Sequence, residues 1–245
     1  METFSPTSNS LDCLDLQEKS DENVDVSNLY LVGKILASKN LNKTAVLNII
    51  QGAWKTRAKL VISSWLNNIF LFQFIDPEDR QRVLMEAPWS VMGYLLVLQP
   101  LALGRSVEQM DFKWSPFWIQ VYGTPVAKLT RQNGEIIGRR IGNLIGVEAL
   151  HDSLLLERSF LRLRVEVDVS KPLPRGFILQ HHGSKDKESW VSYKYEKLSD
   201  FCYDYGRLGH ESSSCTFVSR EEGKNSGYGP ELRTSRAPRL DTPEK

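Results

Sequence analysis

Between residues 29 and 100 the apolar positions alternate between short dense runs and helical spacing. Leu29–Leu36 is a dense run and reads as a strand. Asn42 is a suitable helix N-cap. After it Ala45, Val46, Ile49, Ile50, Ala53 and Trp54 recur at helical spacing. Leu60–Leu66 and Ile69–Ile75 are β-rich runs separated by Asn67-Asn68. Asparagine tolerates left-handed backbone, so this pair suits a tight hairpin turn. Asp76-Pro77-Glu78-Asp79 starts a helix with a cap, a first-turn proline and acids at the positive dipole end. That helix should stop before Pro88. Tyr94–Gln99 closes the series as a strand.

The order β-α-β-β-α-β is that of a ferredoxin-like or RRM-like α+β sandwich. A second β-α-β-rich unit follows. Pro116–Tyr122 reads as a strand ending at Gly123, and Ile137, Ile141, Leu144 and Ile145 mark a helix. Gly138 and Gly142, four apart, would let that helix approach another element closely. Phe160–Val169 has period two. Leu161, Leu163, Val165, Val167 and Val169 form a core face, while Arg162, Arg164, Glu166 and Asp168 form a wet one. Phe177–His182 and Trp190–Leu198 read as two more strands, and Lys171–Gly176 as a connector.

The ends differ from this middle. Residues 1–27 hold seven acidic residues against the single Lys19, with isolated apolar positions, and are expected to be disordered. Residues 218–245 are expected to be a second disordered tail. The α+β domain is placed at 28–170. Strands plus a small metal-binding segment are placed at 171–217, with the core of that segment at 201–215. Hydrophobic residues make up 41% of the 245, enough for a packed core. No apolar run reaches the ~18 residues of a membrane span, and the start has no signal-peptide pattern. Three cysteines cannot make a disulfide framework. The expectation is an intracellular protein of nucleus or cytoplasm, with no membrane partner. Residues 28–215 hold 24 basic and 18 acidic side chains, a mild positive balance that permits nucleic acid without demanding it.

The chemistry concentrates at residues 201–215. The zinc-knuckle spacing is C-x2-C-x4-H-x4-C, in which three thiolates and one imidazole close a tetrahedral zinc site. Metal binding then supplies the folding energy of a very short segment. Cys202, His210 and Cys215 fit this spacing, and Gly206 and Gly209 stand where turns are needed. Tyr205 occupies the second ligand position. A phenol with pKa ~10 is a poor zinc ligand at neutral pH. Asp204 is a further oxygen donor within reach.

Several words of this sequence occur in one order: Leu31-Val32-Gly33-Lys34, Asn68–Phe74, Ala87-Pro88-Trp89, Pro116–Gly123, Arg162 to Leu173, and Lys194-Tyr195-Glu196. Phe201-Cys202-Tyr203 and Gly206–His210 follow them. In these words the chain resembles plant LINE-type retrotransposon proteins of the first open reading frame. Those proteins carry a domain of unknown function followed by a CCHC-type knuckle. The resemblance runs from about Leu29 to Cys215. It implies binding of RNA or single-stranded DNA, one zinc ion, and no catalysis. Two departures stand out. Tyr205 takes the place of a ligand cysteine, and the sequence ends soon after the knuckle without endonuclease or reverse transcriptase. Both fit a fragment or remnant of a mobile element.

The remaining features weigh as follows. Phe70, Phe72 and Phe74 alternate where an RRM shows stacking aromatics, yet Gln73 marks the opposite face as the wetter one, so the Phe stripe is expected in the core. Trp54, Trp89 and Trp118 are read likewise. Arg162, Arg164, Lys194 and Arg207, with Lys171, Arg175 and Lys197, either line a phosphate track or form a solvated face balanced by Glu166, Asp168 and Glu196. Tyr203 is the best candidate to stack on an unpaired base. Cys13 reads as an incidental thiol. His181 and His182, adjacent in a strand, point to opposite faces and read as structural. Gly134–Gly138 lacks the Gly-Lys-Ser/Thr ending of a P-loop. No catalytic motif or small-molecule site is evident. The leading expectation is a non-catalytic protein of retrotransposon origin that binds RNA or single-stranded DNA and carries a degenerate CCHC-type knuckle; the alternative is a protein-interaction or self-associating assembly module, or a decayed remnant that no longer binds zinc.

Overall fold

A computed structural model of the chain describes residues 28–102, 106–148, 159–180, 188–215 and 227–234. Cys13, the acidic segment 1–27, His181 and His182 lie outside these residues.

The first unit follows the expected order. Strand β1 is Tyr30–Ile35, helix α1 Lys43–Trp54, β2 Val61–Ser64, β3 Ile69–Gln73, α2 Pro77–Met85, β4 Trp89–Val91 and β5 Tyr94–Pro100. The local signals act as their chemistry dictates. The Asn42 side chain accepts from the Ala45 amide, and Asp76 accepts from Glu78. Asn67 and Asn68 both take φ +57° in the β2–β3 turn. The sheet order is β2-β3-β1-β5-β4, antiparallel throughout. Trp89–Val91 was not expected as a strand. Its three residues are too few for a periodic signal, and it adds a short hairpin to the edge of the sheet.

One face of this sheet carries the two helices. Leu31, Ile35, Phe70, Phe72, Phe74, Leu96 and Leu98 meet Val46, Ile50, Trp54 and Val83 there. The Phe stripe is core; Trp54 lies tilted 4.7 Å from Phe72 and stacks 5.9 Å from Phe74.

The second unit is another five-stranded antiparallel sheet, in order β7-β8-β6-β10-β9. Its strands are β6 (Trp114–Tyr122), β7 (Asn143–Val147), β8 (Phe160–Asp168), β9 (Gly176–Gln180) and β10 (Glu188–Tyr195), with helix α3 at Arg131–Ile141. Leu144 and Ile145 correct the expected helix. They belong to β7, because the chain turns at Gly142, where a Cβ would collide with the Glu166 carbonyl. Gly134 and Gly138 bring α3 against Val147, Leu163 and Leu144. The expected boundary near 170 also needs correction. β10 pairs with β6, Ser192 opposite Tyr122, so strands from both sides of that boundary share one sheet. Such long-range pairing leaves no local mark in sequence.

Part of the expected C-terminal tail packs as well. Leu232 is buried, the Thr234 amide donates to Tyr195, and Arg233 donates to Asp200 at 2.8 Å. The Gly- and Pro-rich composition of this segment gives no periodic apolar pattern to mark its anchors. Val32, Leu95 and Val97, on the first sheet's other face, are fully buried in the same cluster as Phe117, Ile119, Phe201 and Leu208. That face therefore carries the second unit and the knuckle. Among the described residues no helix is long and apolar enough to cross a membrane.

Candidate metal centre

Residues 201–215 fold into a tight loop. The Cys202 amide donates to Arg207 O at 2.8 Å, and the Gly206 amide donates back to Cys202 O at 2.7 Å. Phe201 and Leu208 bridge across this turn. Gly206 (φ +69°) and Gly209 (φ +93°) hold left-handed backbone, as glycine allows. The turn is tied down from three sides. Leu173 N donates to Gly206 O at 2.9 Å, Arg207 Nη1 to Ser170 O at 2.7 Å, and Ser38 N to Gly209 O at 3.1 Å. The Tyr228 ring packs on Gly206 while its hydroxyl donates to Leu173 O.

This loop brings Cys202, His210 and Cys215 together, their ligand atoms all within 4.8 Å of one another. Tetrahedral zinc with bonds of about 2.0–2.3 Å needs ligand separations of roughly 3.5–3.8 Å. A contraction of at most about 1.3 Å closes the set, so two thiolates and one imidazole fit zinc. Cys202 is fully buried. Its Sγ lies 4.0 Å from Asp204 Oδ2 and 3.8 Å from Ser212 Oγ. Ser212 Oγ also accepts from the Tyr203 amide at 3.0 Å, which fixes the loop between the first two ligand positions. Ser212 was not singled out in the sequence, where it is one of three successive serines.

The residues expected to meet nucleic acid divide into two places. Tyr203 and Arg207 stay on the knuckle. Tyr203 is 37% exposed and meets Phe201 edge-on at 4.9 Å. Arg162, Arg164 and Lys194 lie on the second sheet, and a phosphate track through the two arginines is not what they form. Arg162 is clamped by Glu196 at 2.7 Å and Glu148 at 2.9 Å, and stacks 3.9 Å from the Trp118 ring. The hydrogen bonds that Arg162 donates to Glu196 outweigh burial and raise the Arg162 pKa. Glu196 is held below the usual carboxylate range: burial opposes this, but the bonds from Arg162 and Gln120 prevail. Arg164 is buried and donates to Ala87 O at 2.6 Å and Met85 O at 3.2 Å, which joins the two units. Burial, then the neighbouring Arg162 charge, lowers its pKa. The supposed wet face is thus covered at this point by the α2–β4 connection. Trp118 is half-buried beneath both guanidiniums, so it is not an interior tryptophan. Lys194 sits 4.9 Å from the Tyr122 ring.

Residues 23–109 match the family described as a domain of unknown function (DUF4283), and residues 167–217 match the family described as zinc knuckle. The chain therefore carries a DUF4283 domain followed by a CCHC-type zinc knuckle. It is 19% identical over 139 residues to the uncharacterized Arabidopsis thaliana protein At4g02000; this covers 57% of the chain and 43% of that protein. The chain thus spans less than half the length of the curated relative it matches. The solved RNA-binding domain of Hrp1 in complex with RNA aligns at 11% identity over 57% of this chain and 81% of that one, with a TM-score of 0.27.

Proposed function

We propose that the chain is a non-catalytic protein that binds single-stranded nucleic acid, RNA or DNA, around a zinc knuckle. The observation that carries this reading is the convergence of Cys202, His210 and Cys215 within a segment of the zinc-knuckle family. Bound zinc would tie the two ends of the loop together. The chain's own residues then do the recognition. Tyr203 offers an exposed ring for a base, and Arg207 offers positive charge at the loop's flank. Tyr205 stands in the second ligand position in place of a cysteine, and Asp204 is the nearest carboxylate, 4.0 Å from Cys202 Sγ. A plant LINE-type retrotransposon origin, through the matching sequence words, and an intracellular location belong to the same proposal.

Binding of a labelled single-stranded RNA of about 20 nucleotides, followed by fluorescence anisotropy across a salt series, tests the reading. Affinity should fall linearly on a log–log plot, with a slope of about −2 if three phosphates are neutralised. Absence of binding to RNA and to single-stranded DNA at about 50 mM salt would overturn it.

A further inference from the structure

In a fold of this strand order, single-stranded RNA is read by aromatics on the open face of the central strands. Here that face carries Tyr30 at its edge and no aromatic at its centre. At its central positions β1 carries Val32 and Lys34, and β3 carries Ile69 and Leu71; Val32 is fully buried under the second unit. A bound strand needs another path.

A cleft of about 780 Å³ opens beside the blocked face. Its walls are the end of β1 with the loop to residue 40, the β2–β3 turn, residues 110–113, and the knuckle from Arg207 to His210. Its floor is anchored where Ser38 N donates to Gly209 O. Four cations line it, Lys34, Lys39, Lys113 and Arg207, against one carboxylate, Asp111. Lys113 pairs with that carboxylate at 3.0 Å. Lys34 holds its ammonium 5.9 Å from the Phe112 ring centroid. The cations come from separate segments spaced around the cleft. That distribution suits successive phosphates of a polyanion better than a single small anion. His210, a candidate zinc ligand, lines the same cleft, so the metal loop and the charged walls form one continuous surface.

We propose that this cleft is the phosphate track of a single nucleic-acid strand, running between the DUF4283 domain and the knuckle. The proposal rests on the reading that the chain binds single-stranded nucleic acid. It assigns the DUF4283 domain a direct part in that binding, through Lys34 and Lys39.

The test compares the full zinc-loaded chain with two triple variants on the same RNA. One carries Lys34→Glu, Lys39→Glu and Lys113→Glu. The control carries Lys43→Glu, Lys59→Glu and Arg131→Glu, which change net charge equally away from the cleft. Melting curves check that both variants stay folded. The cleft variant should lose more than about tenfold in affinity, with its salt slope shallower by about 2, while the control loses less than about threefold. Equal losses in the two variants, with wild-type binding intact, would overturn the cleft and leave the general reading standing. Failure of the wild-type chain itself to bind would overturn both.

Discussion

Cys202, His210 and Cys215 supply three of the four donors that a structural zinc takes, and the fourth decides how firmly it is held. Tyr205 is a poor donor at neutral pH, whereas the Asp204 carboxylate lies 4.0 Å from Cys202 Sγ. Two single variants separate these contributions. Tyr205→Cys should raise zinc affinity by more than about tenfold, measured by competition with a chromogenic chelator, because a thiolate completes the tetrahedral set. Asp204→Ala should weaken zinc in the wild-type background by about three- to tenfold and have little effect beside Cys at 205. An unchanged affinity in Asp204→Ala would place the fourth donor elsewhere. At this scale the sequence is a good guide wherever chemistry is local. The ligand spacing, the Asn42 and Asp76 caps and the Asn67-Asn68 turn are all legible, since each interaction closes within a few residues. Arg162 and Arg164 are not. Their roles depend on Glu196, Glu148 and the carbonyls of residues 85 and 87, remote in the chain.

Among elements, the first unit holds its helices together through a buried carboxylate. Asp79 on α2 accepts from the Arg57 amide at 2.6 Å, the Ala58 amide at 3.3 Å and Arg82 at 3.0 Å, and Arg82 also donates to Trp54 O at the end of α1. Burial works against the Asp79 charge, yet these bonds prevail and hold its pKa below the usual value. A depressed pKa stabilises the fold above the unfolded-state value and loses that effect as pH falls through the folded one. Asp79→Asn should therefore cost about 1–3 kcal/mol at pH 7 in urea unfolding. The difference from wild type should begin to shrink below about pH 4, where the unfolded-state carboxyl takes up its proton, and should go on falling as pH drops through the lower folded-state value. A penalty that stayed constant down to pH 3 would show that ionisation is not what matters. Element boundaries follow the same rule of locality. The helix pattern overran into Leu144 and Ile145 because apolar spacing continues past Gly142, and only the tight approach to Glu166 explains where the helix stops.

For the molecule as a whole, the two units and the knuckle form one packed body. Arg164 reaches the carbonyls of residues 85 and 87, Lys197 donates to Glu86 O, and Asp200 N donates to Gly93 O. The α+β order of the first unit was readable from periodicity. How the second sheet assembles from both sides of residue 170, and how residues 227–234 buttress the knuckle, depend on pairings without local sequence signals. This packing shuts the open sheet face and leaves the cationic cleft beside the metal loop. Nitrogen-15 amide shift mapping of the zinc-loaded chain with a single-stranded RNA reads out that arrangement most directly. The account predicts shifts gathered at residues 36–39, 110–113 and 203–210. Shifts confined to the second sheet at residues 118–122, 162–164 and 194, or no shift at low salt, would contradict it.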